Sequence, residues 1–168
     1  MISHALSCKN LRARIARHNA LVEDTFQWLS RRKVHVRKEV TGVVPGTAHR
    51  VDLVVRADGV VHWCDAVVTD PGNPSVVLGA AGKQGFAVDK AEQYKISKWK
   101  KLAPVGVQVV PLAMESTGLI GPEMSKFLER MVKKSRGSKG PRLGSLLMQL
   151  SVTCVRYGGE MVREACRF

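Results

Sequence analysis

The sequence predicts one α/β domain in which helices flank a mixed central sheet. Its 168 residues suit a single domain of ordinary size. Hydrophobic residues make up 45% of the chain and charged residues 24%, which is the usual balance of a folded globular protein. Stretches with helical and strand periodicity follow one another in the order α, β-β-β, α, β, α, α.

The first half of the chain predicts one long helix and three strands. Residues 9–33 have apolar side chains at helical spacing and arginines on the other faces. Residues 34–40 alternate as VHVRKEV, and residues 50–56 and 60–69 form two further strand patterns. The Asp-Gly pair between the last two strands is the signature of a tight hairpin.

The second half predicts three helices and one more strand. After a Gly-rich stretch, residues 84–101 have a helical pattern that ends in the basic run KISKWKK. Residues 105–114 are mostly apolar, which suits a strand in the middle of a sheet. Residues 122–134 begin a helix at Pro122, and a helix over 143–157 follows the basic linker RGSKGPRLG.

Net charge is the most informative feature of the composition. The 27 Lys and Arg residues outnumber the 14 Asp and Glu residues, so the net charge is +13. This excess predicts attraction to a polyanion, usually nucleic acid, although a basic protein that is merely soluble has the same composition. The stretch between Arg56 and Lys83 has no basic residue but contains Asp58, Asp65 and Asp70. Acids within a basic chain are typical of a metal-dependent nuclease, and also of a solvated loop.

Apolar stretches and cysteine spacing indicate the cellular compartment. No stretch approaches the roughly 20 apolar residues of a membrane span, and the first residues have no apolar signal core, so we expect neither a membrane partner nor export. The four cysteines, Cys8, Cys64, Cys154 and Cys166, are scattered and form no CxxC pair. This spacing predicts a reducing compartment, with Cys64 and Cys154 as buried free thiols.

Two aspartates stand inside the bodies of neighbouring predicted strands. Asp52 and Asp65 each have apolar neighbours, and an aspartate buried among valines must be paired or bind a metal. Together they could bind one Mg²⁺ with waters and a phosphate oxygen. The alternative is two unrelated aspartates that pair with Arg50, Arg56 or a helix end, and spacing alone does not separate these hypotheses.

The helix over 84–101 offers a lysine for such a site. Lys90 and Tyr94 lie four residues apart and so project from one helix face. A lysine aimed at the carboxylates could orient the attacking water and stabilise charge on the phosphate, whereas the alternative is an ordinary surface lysine. Other basic residues of the two helices are the predicted DNA contacts: Arg12, Arg14, Arg17, Lys95, Lys98, Lys100 and Lys101.

This arrangement resembles the PD-(D/E)xK nuclease superfamily, in which two strand acids and a lysine occupy an α-β-β-β-α-β frame. The chain is more closely similar to the restriction-like endonuclease domain of site-specific non-LTR retrotransposon polyproteins. Matching segments run in order over nearly the whole chain: HALSC, RHNALVED, RVDLVV, WCDAVVTDP, KAEQY, PLAMESTGLIGPE and QLSVTCVRYGG. The resemblance implies a restriction-endonuclease-like mixed sheet flanked by helices.

The resemblance also implies roles for single residues. Asp52 and Asp65 match the two metal-binding aspartates, and Lys90 and Tyr94 match the lysine and tyrosine of a K-x-x-K-Y pattern. Val67 stands where the superfamily has its strand lysine, which agrees with a lysine moved to the helix. Departures from the pattern are Val51, in place of the proline before the first aspartate, and Gln93, in place of the second lysine.

Several other residues are candidates for supporting roles. His18, with Asn19, either supports the site or contacts DNA, or packs the first helix. Glu115 ends the apolar strand as a supporting carboxylate or as a hydrogen-bond acceptor at a helix start. Trp63 and Trp99 could stack on bases, although Trp63 fits the core better.

The first eight residues resemble the end of a zinc knuckle. His4 and Cys8 match its last two ligands, but two ligands do not make a structural zinc site, so we do not expect Zn²⁺ here. The predicted organisation is a knuckle remnant at 1–8, a catalytic core at 9–142 and a C-terminal helical extension at 143–168.

The predicted function is a nuclear DNA endonuclease that depends on Mg²⁺ or Mn²⁺. The resemblance implies that it nicks a double-stranded target, and that the 3′ hydroxyl primes reverse transcription of element RNA by the polymerase part of a larger polyprotein. One alternative is a non-catalytic basic module that binds nucleic acid. Another is a domesticated nuclease that serves a different pathway.

Overall fold

The computed structural model describes residues 12–134 and 142–165. Within these residues lie five helices and four strands, whose order matches the predicted one apart from one additional short helix. In chain order they are α1 (Arg12–Arg31), β1 (His35–Thr41), β2 (Arg50–Ala57), β3 (Val60–Thr69), α2 (Val77–Gly82), α3 (Phe86–Lys100), β4 (Val107–Glu115), α4 (Pro122–Lys134) and α5 (Leu143–Ala165).

The four described strands form one open, mixed sheet in the order β1-β2-β3-β4. Both β1–β2 and β2–β3 are antiparallel, whereas β3 and β4 are parallel and are joined through α3. Such a parallel connection needs a crossover long enough to hold a helix. The predicted mixed α/β architecture is therefore confirmed.

A tight turn fixes the register of the central hairpin. Asp58 and Gly59 have φ of 49° and 74°, the two left-handed positions that a two-residue hairpin turn requires. Ala57 consequently pairs with Val60, and the pairing continues along both strands to Leu53 and Cys64. The predicted hairpin is confirmed, and its register decides which side chains of β2 and β3 face each other.

The main hydrophobic core lies between one face of the sheet and helices α1, α4 and α5. Helix α1 contributes a stripe that recurs with helical period, Leu21, Val22, Trp28 and Leu29. Each large apolar side chain that is fully removed from water stabilises the fold by roughly 2 kcal/mol. The buried core anchors α1 firmly against the sheet.

A second, smaller cluster covers the opposite face of the sheet. Val51, Val54 and Trp63 from the strands pack there with Trp99 near the end of α3. The ring centroids of Trp63 and Trp99 are 5.8 Å apart in an edge-to-face contact. Trp63 is thus a core residue, as its strand position predicts, and Trp99 is too deeply buried to stack on a base.

Two elements differ from the sequence-based prediction. The short helix α2 occupies the Gly-rich stretch for which no helix was predicted, and none of its residues is buried. Helix α5 continues to Ala165, beyond the predicted end at residue 157, because Gly158 and Met161 extend its buried stripe. Tertiary packing here outweighs the low helix propensity of the Gly158–Gly159 pair.

The described cysteines behave as predicted. Cys64 and Cys154 are free thiols that are fully buried. Burial raises the pKa of Cys64, and it raises the pKa of Cys154 to about 11, so neither is a reactive thiolate at neutral pH.

Some predictions concern residues outside the described ranges, namely those for His4, Cys8, Cys166 and most of the linker before α5. Among the described helices, none is both long enough and apolar enough to cross a bilayer.

Candidate active site

Asp52 and Asp65 face each other across the two central strands. The last regular pair of the hairpin joins Leu53 to Cys64, and one step further in this register places Asp52 opposite Asp65. Both aspartates are only 6% exposed. Two carboxylates side by side in a poorly hydrated position repel each other unless positive charges and hydrogen-bond donors compensate.

Helix α1 and the strand backbone compensate the charge of Asp52. The Nε2 atom of His18 lies 3.4 Å from Oδ1, and the backbone N–H of Ala66 donates to Oδ2 at 2.7 Å. Burial raises the pKa of Asp52, but the hydrogen bonds from His18 and Ala66, the charge of His18 and hydrogen bonding with Asp65 together outweigh it. The pKa of Asp52 is therefore below its ordinary value, and the carboxylate is ionised at neutral pH.

Helix α3 compensates the charge of Asp65. The Nζ atom of Lys95 lies 2.7 Å from Oδ2, and Nε1 of Trp99 donates to the same oxygen at 2.5 Å. Lys95 and Trp99 lie four residues apart, so their side chains leave the helix from one face. Because both donors approach Oδ2, the two contacts fix the orientation of the Asp65 carboxylate.

The structure brings Lys95 to the carboxylates and does not bring Lys90 there. Five residues at about 100° each rotate the helix by roughly 500°, so Lys90 and Lys95 point in directions about 140° apart. Lys90 is exposed, with its ammonium 5.5 Å from the centroid of the Phe86 ring. Tyr94 is 67% exposed as well. The predicted placement of Lys90 and Tyr94 at the site is thus corrected in favour of Lys95.

Lys95 was predicted to be a surface contact for DNA, and its position is more specific than that. It lines the same cavity as Val67, which stands at the strand-lysine position of the resembled superfamily. Helix α3 therefore places an ammonium group beside Asp65, where the apolar side chain of Val67 provides no charge. The one hint in the sequence was the four-residue spacing between Lys95 and Trp99, which places them on one face of the helix.

A cavity of about 300 Å³, called the basic pocket below, opens beside the carboxylates. The polar side chains that line it are Arg14, Arg17, His18, Asn19, Arg50 and Lys95. A second cavity of about 450 Å³ shares His18 and Asn19 with it and reaches Asp52. His18 and Asn19 therefore lie beside the carboxylates, and which of the roles predicted for them they have stays a prediction.

The other predicted DNA contacts are distributed unevenly. Arg17 is 2% exposed, so it lies at the base of the basic pocket and not on an open surface. Arg12 lines a separate cavity against α5. Lys98, Lys100 and Lys101 are exposed near the end of α3, with the Lys98 ammonium 4.7 Å from the Trp99 ring centroid.

Glu115 lies away from the carboxylate pair. It pairs with Thr69, whereas Asp65 pairs with Pro111, which puts Glu115 roughly 13 Å further along the sheet. Its carboxylate accepts hydrogen bonds from the backbone N–H of Val88 in the first turn of α3 and from Thr117. Of the two roles predicted for Glu115, the structure supports the acceptor at a helix start.

The carboxylate pair suits a hard divalent cation. Among the described residues, no group of three or more His, Cys, Asp or Glu side chains is arranged to hold a metal ion. Mg²⁺ does not require such a group, because it commonly binds one or two carboxylates and takes its remaining ligands from water and phosphate. The oxygen donors of Asp52 and Asp65 fit that pattern.

No protein-family model matches this chain, and no curated protein is significantly similar to it in sequence. The retrotransposon resemblance therefore stays a prediction, and the chemistry of the site must be proposed from its geometry.

Proposed function

We propose that this chain is a metal-dependent DNA endonuclease. The observation that supports it best is the cross-strand pair of buried carboxylates, with Lys95 on one and His18 on the other, beside a pocket rich in arginine. A protein that only binds nucleic acid gains nothing from two acids next to its cationic surface, since they repel phosphate. In phosphodiester hydrolysis, by contrast, carboxylates bind the catalytic metal ion and nearby cations bind the phosphate.

Asp52 and Asp65 are the proposed ligands of Mg²⁺ or Mn²⁺. A bound metal supplies a Lewis acid for the phosphate and lowers the pKa of a coordinated water. Within the chain, His18 keeps Asp52 oriented and ionised, and Trp99 holds Asp65 in place. Lys95 then has the role that the resemblance gave to Lys90: its ammonium contacts a phosphate oxygen and stabilises the charge that develops there.

One such site cuts one strand, so the expected product is a nick. The resemblance extends the proposal to a double-stranded target, with element RNA and a reverse-transcriptase part of a larger polyprotein as partners. Its nuclear location belongs to the same proposal. A domesticated nuclease would use the same residues and chemistry on a different target.

Nicking of a supercoiled plasmid tests the activity directly. The chain is incubated with Mg²⁺, with Mn²⁺ or with EDTA, beside Asp65→Asn and the matched control Asp58→Asn in the same hairpin. Asparagine fits the left-handed backbone at residue 58, so this control keeps the turn intact. We expect metal-dependent open circles from the native chain and from Asp58→Asn, and none from Asp65→Asn.

A non-catalytic module that only binds nucleic acid would bind the plasmid without nicking it. If every protein shifts the plasmid in a gel but none nicks it with either metal, the endonuclease proposal is wrong for this chain. Equal nicking by the native chain and Asp65→Asn would mean that the activity comes from a contaminant or from another site.

A further inference from the structure

The basic pocket holds more positive charge than its lining neutralises. Four cationic side chains line it, and none of the described residues that line it is an acid. Lys95 pairs closely with Asp65, Arg50 forms a looser ion pair with Glu39 at 3.8 Å in which both side chains are half exposed, and Arg14 is exposed. The pocket is therefore an attractive place for an anion.

Charges inside the pocket also act against one another. Burial lowers the pKa of Arg17; the nearby Cys154 and Asp70 oppose this effect, and the positive charge of Arg14 adds to it. Arg14 and Arg17 lie three residues apart on α1, so they crowd the same helix face. A bound anion would offset this repulsion.

The pocket begins where the carboxylate site ends. Residues 66–68, which line the pocket, directly follow Asp65 on β3. At about 3.3 Å per residue, Val67 is about 7 Å beyond Asp65 on the same face of the strand. An anion in the pocket would therefore lie roughly one nucleotide step from a phosphate held at Asp52 and Asp65.

One wall of the pocket is apolar. Ile15 and Val67 contribute to it, and Ile15 is 60% exposed although it is a large hydrophobic residue. Inorganic phosphate makes no favourable contact with such a wall, whereas the sugar of a nucleotide packs against it. The mixture of cations and apolar groups favours a nucleotide phosphate over a free anion.

We propose that the basic pocket binds the phosphodiester next to the one that is cut. Arg14 and Arg50 would contact its oxygens, and the intervening sugar would pack on Ile15 and Val67. The position of the cut rests on the proposed nuclease function, but anion binding in the pocket does not need metal or cleavage. The substrate class is then a polynucleotide with at least two consecutive phosphodiesters.

Binding is measured first, with EDTA present so that no strand is cut. The anisotropy of a fluorescent oligothymidylate is titrated with the native chain, Arg14→Gln, Arg50→Gln and the control Arg56→Gln. Arg56 is an exposed arginine at the other end of β2, so the control matches charge and strand. We expect each pocket variant to bind about tenfold more weakly, the effect of one charge-assisted hydrogen bond. For each pocket variant we also expect the slope of the logarithm of the binding constant against the logarithm of salt concentration to be smaller by roughly 0.7.

Cleavage is measured second, with Mg²⁺ and the dinucleotide TpT or the trinucleotide TpTpT. The added phosphate should raise kcat/KM by about tenfold for the native chain and not for Arg14→Gln/Arg50→Gln. If the pocket variants bind oligothymidylate like Arg56→Gln, the subsite is wrong, whatever the nuclease assay gives. If they bind more weakly but the native chain cuts nothing, the subsite stands and the nuclease proposal fails. Displacement of the oligonucleotide by inorganic phosphate as readily as by TpTpT would also overturn the subsite.

Discussion

The Nζ atom of Lys95 lies 2.7 Å from Oδ2 of Asp65, and this ion pair joins helix α3 to the central strand β3. The pair is largely removed from water, with side chains that are 15% and 9% exposed. Removal of one partner from such a pair leaves a poorly hydrated charge, so the contact links the position of α3 to that of the Asp65 side chain. In the proposed site, Asp65 would hold the cation and the ammonium of Lys95 would contact a phosphate oxygen.

The first prediction separates the two lysines of α3. We expect Lys95→Met to lower the plasmid-nicking rate by about 100-fold, because one preorganised charge at the reacting phosphate is lost. Methionine keeps the unbranched stem that packs in the site. Lys90→Met should nick at nearly the native rate, since Lys90 is exposed and contacts Phe86.

If Lys90→Met loses nicking and Lys95→Met does not, Lys90 is the lysine of the site, as the family resemblance implies. Thermal unfolding of both variants is the control, because a loss of nicking in an unfolded protein would say nothing about the lysine.

Strand periodicity indicated that Asp52 and Asp65 lie on neighbouring strands, but it left open whether they form one site or pair separately. Side chains alternate between the two faces of a strand, so each aspartate faces one side of the sheet. A two-residue turn at Asp58 and Gly59 then sets a register in which Asp52 and Asp65 lie opposite each other. The lysine could not be found in this way. The rotation of α3 about its axis depends on which residues it buries, and its sequence has no continuous apolar stripe to reveal that face.

Local sequence patterns could not predict the contact of His18 with Asp52, or the basic pocket, for a related reason. The sequence indicates that α1 is amphipathic, but the point at which it crosses the sheet is set by packing against α5 and the strands. The short helix α2 was missed because glycine and a lack of buried residues give it almost no pattern. Contacts distant in sequence decide these features.

The second prediction concerns the hydrogen bond from Trp99 to Asp65. Trp99→Phe leaves an oxygen of a buried carboxylate with one donor fewer, which we expect to lower the free energy of unfolding by about 2 kcal/mol beyond the loss of packing. Trp28→Phe is the matched control, because Trp28 is equally buried but its Nε1 has no hydrogen-bond partner among the described residues. Urea denaturation of the two variants measures the difference, and equal losses would contradict the role of the hydrogen bond.

The third prediction uses a buried carboxylate at the junction of α3 and α4. Glu92 is 3% exposed and accepts hydrogen bonds from the backbone N–H groups of Glu123 and Met124. Burial raises the pKa of Glu92 to about 7; these hydrogen bonds oppose the rise, and the charges of Glu123 and Asp89 add to it. The carboxyl is therefore partly protonated at neutral pH.

The sign of the pH dependence follows from this raised pKa. The folded chain holds a proton on Glu92 that the unfolded chain releases near pH 4.5, so the protonated group stabilises the fold fully below about pH 4.5. That contribution, on the order of 3 kcal/mol, is lost as the pH rises through about 7. We expect Glu92→Gln to remove this part of the decline in stability between pH 5 and pH 8, as measured by urea denaturation. The exposed Glu129→Gln on α4 should keep the decline, and a native-like decline in Glu92→Gln would refute the prediction.

The fourth prediction tests His18 as a positioning residue for Asp52. Burial raises the pKa of Asp52, and the hydrogen bond and charge of His18 help to lower it below its ordinary value. His18→Ala should therefore raise the pKa of Asp52 and move the acid limb of the nicking rate to higher pH. A group with a lowered pKa is fully ionised above its ordinary value, so the variant loses most activity near about pH 5 and least near about pH 8.

A merely structural role for His18 would lower the rate by the same factor at every pH. His18→Gln keeps a donor for Oδ1 of Asp52 but lacks the charge, so it should recover part of the shift that His18→Ala produces. His35→Ala removes an exposed histidine from β1 and should leave the profile unchanged. A rate lowered by one factor at every pH in His18→Ala, with the acid limb at its native pH, would show that His18 acts through packing alone and does not set the ionisation of Asp52.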